Sequence, residues 1–300
     1  ILGTTGRAHA KRPLALMPAY TFVATASAAE QCGFMPVLDD IGEDWMLQPE
    51  RVLAHPDLDR IGLVVPVAPY GRPVPQAAWA AFRERTGIPV VIDGAAAFDT
   101  LCASPATTLG PVPVALSFHA TKSLGTGEGG CVICTDGEAL DRIGRALNFG
   151  FHAVRDCRSP NTNGKMSEYH AAVGLAELDG WDEKLAGFRA VAQAYRQELV
   201  AAGLDGRIVA TPTIGANYVL YVAPDAAAAQ RACERLEADG IDFRFWYGLG
   251  LHRQTYYADL ASQPLTRTDS LAVRVLGLPT APDLDAATVA RVCAALVAAA

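Results

Sequence analysis

The segment "SFHATKSLGTGEGG", Ser117 to Gly130, holds the side chain with the widest chemical scope in this chain of 300 residues. Lys122 stands three residues after His119 and is followed by four glycines in the six positions 125–130. Lysine is scarce elsewhere: only Lys11, Lys165 and Lys184 accompany it, and arginine supplies the remaining basic side chains. A lysine amine that sheds its proton attacks carbonyl carbon and forms a Schiff base. Neighbouring glycines let a bulky ligand approach without side-chain collision. The run superficially resembles a phosphate-binding loop, but in that motif the glycines precede the lysine and feed a helix; here the order is reversed.

Asp93 closes the apolar run "IPVVID". A lysine paired with a buried carboxylate on a separate strand suits pyridoxal 5′-phosphate (PLP), whose ring is an electron sink only while its nitrogen holds a proton. Taken singly, a lysine among glycines is more often a solvated loop residue, and an aspartate at a strand end more often a turn former or helix cap. "CVICT" places Cys131 and Cys134 at CxxC spacing. Residues three apart on a strand point to opposite faces and no second pair follows, so two core thiols on a buried strand are expected rather than a metal site.

The elements that must position these groups follow from periodicity. "PLALMPAY", "MPVLDD", "RIGLVVPVAPYG" and "IPVVIDGAAAF" read as strands, and "TFVATASAAEQCG" and "VPQAAWAAFRERTG" as helices closed by Gly33 and Gly87. Alternation of this kind predicts an α/β fold with a mostly parallel sheet, where ligands gather outside the carboxyl ends of the strands. Asp93 and Lys122 both belong at that edge. After the polar stretch "NFGFHAVRDCRSPNTNG", helices are expected from about Ser167 and through "FRAVAQAYRQELVAAG". Beyond Gly203, "ANYVLYVA" and "IDFRFWYG" read as strands and "AAAAQRACERLEADG" and "DAATVARVCAALVAA" as helices. The expected division is a large domain over 1–200 and a small α+β domain over 201–300.

Composition narrows the function further. A net charge of -7 argues against nucleic acid as the main partner. No apolar run is long enough to span a bilayer. No secretion signal opens the chain, and a cytoplasmic protein is expected. The seven cysteines are odd in number and scattered, which disfavours a disulfide framework.

Together "MPAYTFVATASAAEQCGFMPVLDD", "VIDGAAAF", "SFHATKSLGTGEGG" and "NTNGKMSEYHAAVGLAELDGWDEK" resemble the DegT/StrS-type aminotransferases, fold type I PLP enzymes that act on nucleotide-linked keto sugars. The likeness runs in order from about Pro18 to "WYGLGLH" and "LGLPTAP". It implies that Lys122 is the Schiff-base lysine, that Asp93 pairs with the pyridine nitrogen, that Phe22 stacks on the ring and that Ser117 is a phosphate ligand. It also implies that Asn163 reaches the phosphate from a neighbouring subunit, giving a homodimer with shared sites. Gly3, Thr4 and Thr5 stand for a phosphate loop, where backbone amides at a helix start suit a dianion. Tyr20, His119 and His252 fall in segments that border the substrate.

Three departures stand out. Ala96 occupies the position where the family commonly has a glutamine contacting the cofactor's hydroxyl side. Lys165 replaces a usual arginine and loses its planar fork of donors. "ILGTTGRAHAKRP" begins almost at the phosphate loop, and an earlier native start is expected. The resemblance implies transfer of an amino group from an amino acid, glutamate foremost, to a keto sugar on a nucleoside diphosphate. A PLP-dependent sugar dehydratase or deoxygenase on the same fold would replace the lysine, typically with histidine. A non-catalytic regulatory protein would not need Asp93, Ser117, Lys122 and Asn163 together.

Overall fold

The computed structural model describes residues 1–300. In chain order the elements are α1 (Leu2–Thr5), β1 (Leu14–Pro18), α2 (Val23–Gln31), β2 (Met35–Asp39), α3 (Pro49–Leu53), β3 (Ile61–Val64), α4 (Gln76–Thr86) and β4 (Ile92–Asp93). They continue with α5 (Phe98–Ala103), α6 (Pro105–Thr108), β5 (Val114–Ser117), β6 (Gly130–Ile133), α7 (Gly137–Leu147), α8 (Glu168–Asp179) and α9 (Trp181–Ala201). The last third holds β7 (Ile208–Ala210), β8 (Val219–Val222), α10 (Ala226–Ala238), α11 (Thr266–Ala272), β9 (Val275–Gly277) and α12 (Ala286–Ala299).

The parallel sheet expected from the alternating pattern is present, in two hydrogen-bonded pieces. One has the order β2-β1-β3, all parallel; the other is β4-β5-β6, with β4 and β5 parallel and β6 antiparallel. Parallel bridges Val64 to Val90 and Val67 to Asp93 join the pieces. Every residue of β1 is buried, as befits a strand covered on both faces. Gly87 closes α4 in the left-handed conformation, at φ 67°. The strand expected through "IPVVIDGAAAF" narrows to Ile92–Asp93, because past Asp93 the chain turns into α5.

A separate antiparallel sheet, β7-β8-β9, packs with α9, α10 and α12 around Tyr195, Leu236 and Leu296. "IDFRFWYG" does not form the expected strand. Only Arg244 pairs, exchanging both backbone hydrogen bonds with Gly277, before the chain turns away. The expectation of two core thiols is also corrected: β6 is an edge strand, Cys131 is exposed and Cys134 half-buried.

Candidate active site

A cavity of about 670 Å³ opens at the carboxyl edge of the parallel strands. Each wall comes from a segment leaving a strand or starting a helix. The turn after β1 delivers Phe22 as the N-cap of α2, and α2 itself contributes Ala24, Thr25 and Ala28. Val65 follows β3, Asp93 and Ala95 come from the end of β4, and Ser117, His119, Thr121 and Lys122 from the end of β5. The C-terminal part of the chain closes the cavity with Tyr218, just before β8, and with Trp246 and Tyr247 from the turn after Arg244. Phe22, Asp93, Ser117 and Lys122, far apart in sequence, thus share one space.

Asp93 is held at both oxygens. Thr25 donates its hydroxyl to Oδ2 at 2.6 Å, and the Ala95 amide donates to Oδ1 at 3.1 Å. Because Thr25 spends its proton on Asp93, the Thr21 hydroxyl 2.8 Å away must donate to Thr25. Lys122 Nζ has one hydrogen-bond partner, the Tyr218 hydroxyl at 3.5 Å. Ser117 Oγ accepts from the His119 amide at 3.2 Å, and His119 Nδ1 accepts from the Thr121 amide at 3.2 Å. Glu128 Oε1 lies 3.6 Å from His119 Nε2, so that pair carries opposite charges only when the imidazole is protonated.

Beneath the cavity floor lies an aromatic cluster. Tyr20 and Tyr70 share a hydrogen bond at 2.9 Å, and Tyr70 and Tyr247 stack with centroids 4.6 Å apart. Burial holds all three phenols protonated well above their ordinary range. The close approach here requires Gly71, which sits at φ 86° where a Cβ would fall 2.3 Å from the Ala96 carbonyl oxygen.

The structure does not bring every expected residue to this space. Tyr20 is 1% exposed and does not line the cavity, so its expected place at the substrate is corrected to the core. His252 lies off the cavity, bonded through Nε2 to Asp269 at 2.8 Å, a contact that holds the Asp269 carboxyl below its usual range. Gly3, Thr4 and Thr5 form the short turn α1 against α7, where a Cβ on Gly3 would meet Ile143; from this segment only Ile1 reaches the cavity. Ala96 is buried among Tyr20, Tyr70 and Tyr218. Asn163 is exposed outside its own chain's cavity, where its Oδ1 accepts from Lys165 at 2.5 Å.

Thr25, Tyr218, Trp246, Tyr247 and Asp99 were not foreseen as site residues. Thr25 was detectable in principle, lying three residues after Phe22 on the same helix face. Asp99 is buried six residues after Asp93; its Oδ1 accepts from Ser123 at 3.0 Å and its Oδ2 from the Ala216 amide at 2.7 Å. Burial pushes its carboxyl above the ordinary range. Nothing in local sequence marks it as a brace between distant loops.

The residues fit PLP. The cavity is of a size and apolar character usual for small-ligand sites, Lys122 has no carboxylate partner, and Asp93 keeps lone pairs beyond its two donors on the cavity side. Fold and cavity together define the class, an α/β transferase of the PLP-dependent kind. The chain belongs to the DegT/DnrJ/EryC1/StrS aminotransferase family, whose profile matches residues 10–297. Protein Rv3402c of Mycobacterium tuberculosis (strain ATCC 25618 / H37Rv) is 31% identical over 94% of this chain and 70% of its own length. The dTDP-3-amino-3,4,6-trideoxy-alpha-D-glucose transaminase of Streptomyces venezuelae is 29% identical over 90% of this chain and 72% of its own. Among solved structures, a putative PLP-dependent aminotransferase from Bacillus cereus ATCC 10987 superposes with a TM-score of 0.85 at 29% identity, covering 96% of this chain and 80% of that one. DesI, solved with its TDP-sugar product, gives 0.83 at 29% identity, covering 99% and 82%. No helix of the chain is long and apolar enough to cross a membrane.

Proposed function

We propose that this protein transfers an amino group from an amino acid, glutamate foremost, to a keto sugar linked to a nucleoside diphosphate. The observation that carries the reading is the convergence of Lys122 and a doubly braced Asp93 on one cavity at the strand ends. Bound there, PLP supplies an electron sink for the charge left when a neighbouring carbon loses its proton. Lys122 anchors the cofactor and, once freed, its amine moves a proton at the carbon that bears the transferred nitrogen. Asp93 keeps a proton on the ring nitrogen, and the Thr25 hydroxyl and Ala95 amide fix its carboxylate so that no reorganisation is needed as charge develops. Phe22 supplies apolar surface at the rim, and Ser117 a hydroxyl for the phosphate.

The active unit in this reading is a homodimer with shared sites. Helix α8 has no buried residue, and Tyr169, Leu175 and Leu178 are exposed on it, an apolar surface that a second copy would cover. Asn163 precedes that helix outside its own cavity, as a residue serving the partner's phosphate would.

The test loads the purified protein with PLP, supplies glutamate, and screens nucleoside diphosphate keto sugars for multiple-turnover release of 2-oxoglutarate. Borohydride reduction and peptide mapping should place the pyridoxyl group on Lys122. A label on Lys165 or Lys184 would remove Lys122 from its role, and absence of turnover with every keto sugar nucleotide would refute the substrate class.

A further inference from the structure

Ala96 leaves the hydroxyl side of the cofactor without the side chain that the resemblance would place there. We propose that the Tyr218 phenol fills this role and is a catalytic residue, acting on the cofactor's ring hydroxyl beside Lys122. The inference rests on the reading of Lys122 as the cofactor lysine.

Four observations converge on Tyr218. Its hydroxyl is the one hydrogen-bond partner of Lys122 Nζ, at 3.5 Å, and makes no other side-chain hydrogen bond. Its ring lines the cavity yet is only 6% exposed, set edge-on against Tyr70 at 5.4 Å and Trp246 at 5.5 Å, so the phenol is held in place by packing. Ala96 belongs to the same buried cluster, and its methyl group offers no polar contact that would do the work of the phenol.

The fourth observation is that the two loops are tied together on both sides of the contact. Asn217 Nδ2 donates to the Thr121 carbonyl at 2.9 Å, and the Asp99 carboxylate joins Ser123 to the Ala216 amide. The residues before and after Lys122 are thereby fixed to the two residues before Tyr218. The pairing of amine and phenol is built into the fold rather than left to two loose side chains.

Pyridoxal chemistry supplies the rest. The ring hydroxyl is ortho to the carbonyl carbon that the lysine amine attacks, so a donor beside the lysine nitrogen is also beside that hydroxyl. A phenol donating to the ring oxygen stabilises its anion. Negative charge withdrawn from that oxygen no longer favours a proton on the adjacent lysine nitrogen, so the linkage titrates at lower pH with Tyr218 present than without it.

The experiment titrates the visible absorption of wild type and Tyr218→Phe, both loaded with PLP and free of substrate, across pH. Phenylalanine keeps the ring and its packing and removes only the hydroxyl. The expected result is a midpoint raised by about one pH unit or more in Tyr218→Phe, the size of one charge-assisted hydrogen bond, with the borohydride label still on Lys122. A parallel measurement of cofactor release should show faster loss of PLP from Tyr218→Phe, and no difference between the two proteins for an analogue lacking the ring hydroxyl. An unchanged midpoint with Lys122 labelled, or an equal effect on the analogue, overturns the role of Tyr218. A wild-type label on another lysine overturns instead the reading beneath it.

Discussion

Replacing Asp99 by alanine would test whether the lysine loop is braced as described. Asp99 is 5% exposed and accepts from two groups that are themselves buried, the Ser123 hydroxyl at 2% exposure and the Ala216 amide at 0%. Alanine orphans both donors. At about 1–3 kcal/mol for each buried group left unpaired, the loss is about 2–6 kcal/mol, seen as a fall of the thermal midpoint of at least about 5 °C. Asp99→Asn should recover most of it, since the amide oxygen accepts from Ala216 and the amide nitrogen donates to Ser123. The pH dependence has a definite sign. Burial raises the folded-state pKa of Asp99, so its contribution to stability is fullest below the unfolded pKa, about 4, and declines as pH rises through the raised value. Asp99→Asn lacks that decline, so its stability relative to wild type should improve between the acid range and neutrality. Thermal unfolding of the three proteins over that range is the assay. An alanine variant as stable as wild type, or a stability gap between asparagine and wild type that runs the other way with pH, would refute the bracing argument.

Two further outcomes are expected. Asp93→Asn should retain much of its PLP binding, measured by absorption, while turnover falls by about two to three orders of magnitude, because an amide cannot hold the ring proton as the braced carboxylate does; near-normal turnover would exclude the role given to Asp93. An inactive Lys122→Ala variant mixed with an inactive variant altered at Asn163, and allowed to exchange subunits, should regain a fraction of wild-type activity in hybrid dimers that carry one complete site. Verified hybrids without activity would show that each chain builds its own site.

Local pattern alone determined a good part of this protein. The fully apolar β1, the helices closed at Gly33 and Gly87, and the two apolar runs that give way to polar residues at Asp93 and before Lys122 were legible because burial on both faces and helix termination are short-range constraints. The resemblance added Phe22 and Ser117, and the fold places both on the same cavity as Asp93 and Lys122. Periodicity misread "IDFRFWYG", whose side chains alternate as a strand's do, because strand formation there depended on a neighbour that offers only Gly277 for pairing. It misread Cys131 for a related reason: whether a strand lies inside a sheet or at its edge is decided by what packs beside it. The tertiary structure alone decided that Tyr20 belongs to the core, that Thr25 braces Asp93, and that Asp99 and Asn217 bind the Lys122 loop to the loop bearing Tyr218. These contacts join positions from 68 to 117 residues apart, or lie where a buried polar group must find any partner within reach, and no local rule of spacing specifies which partner that will be.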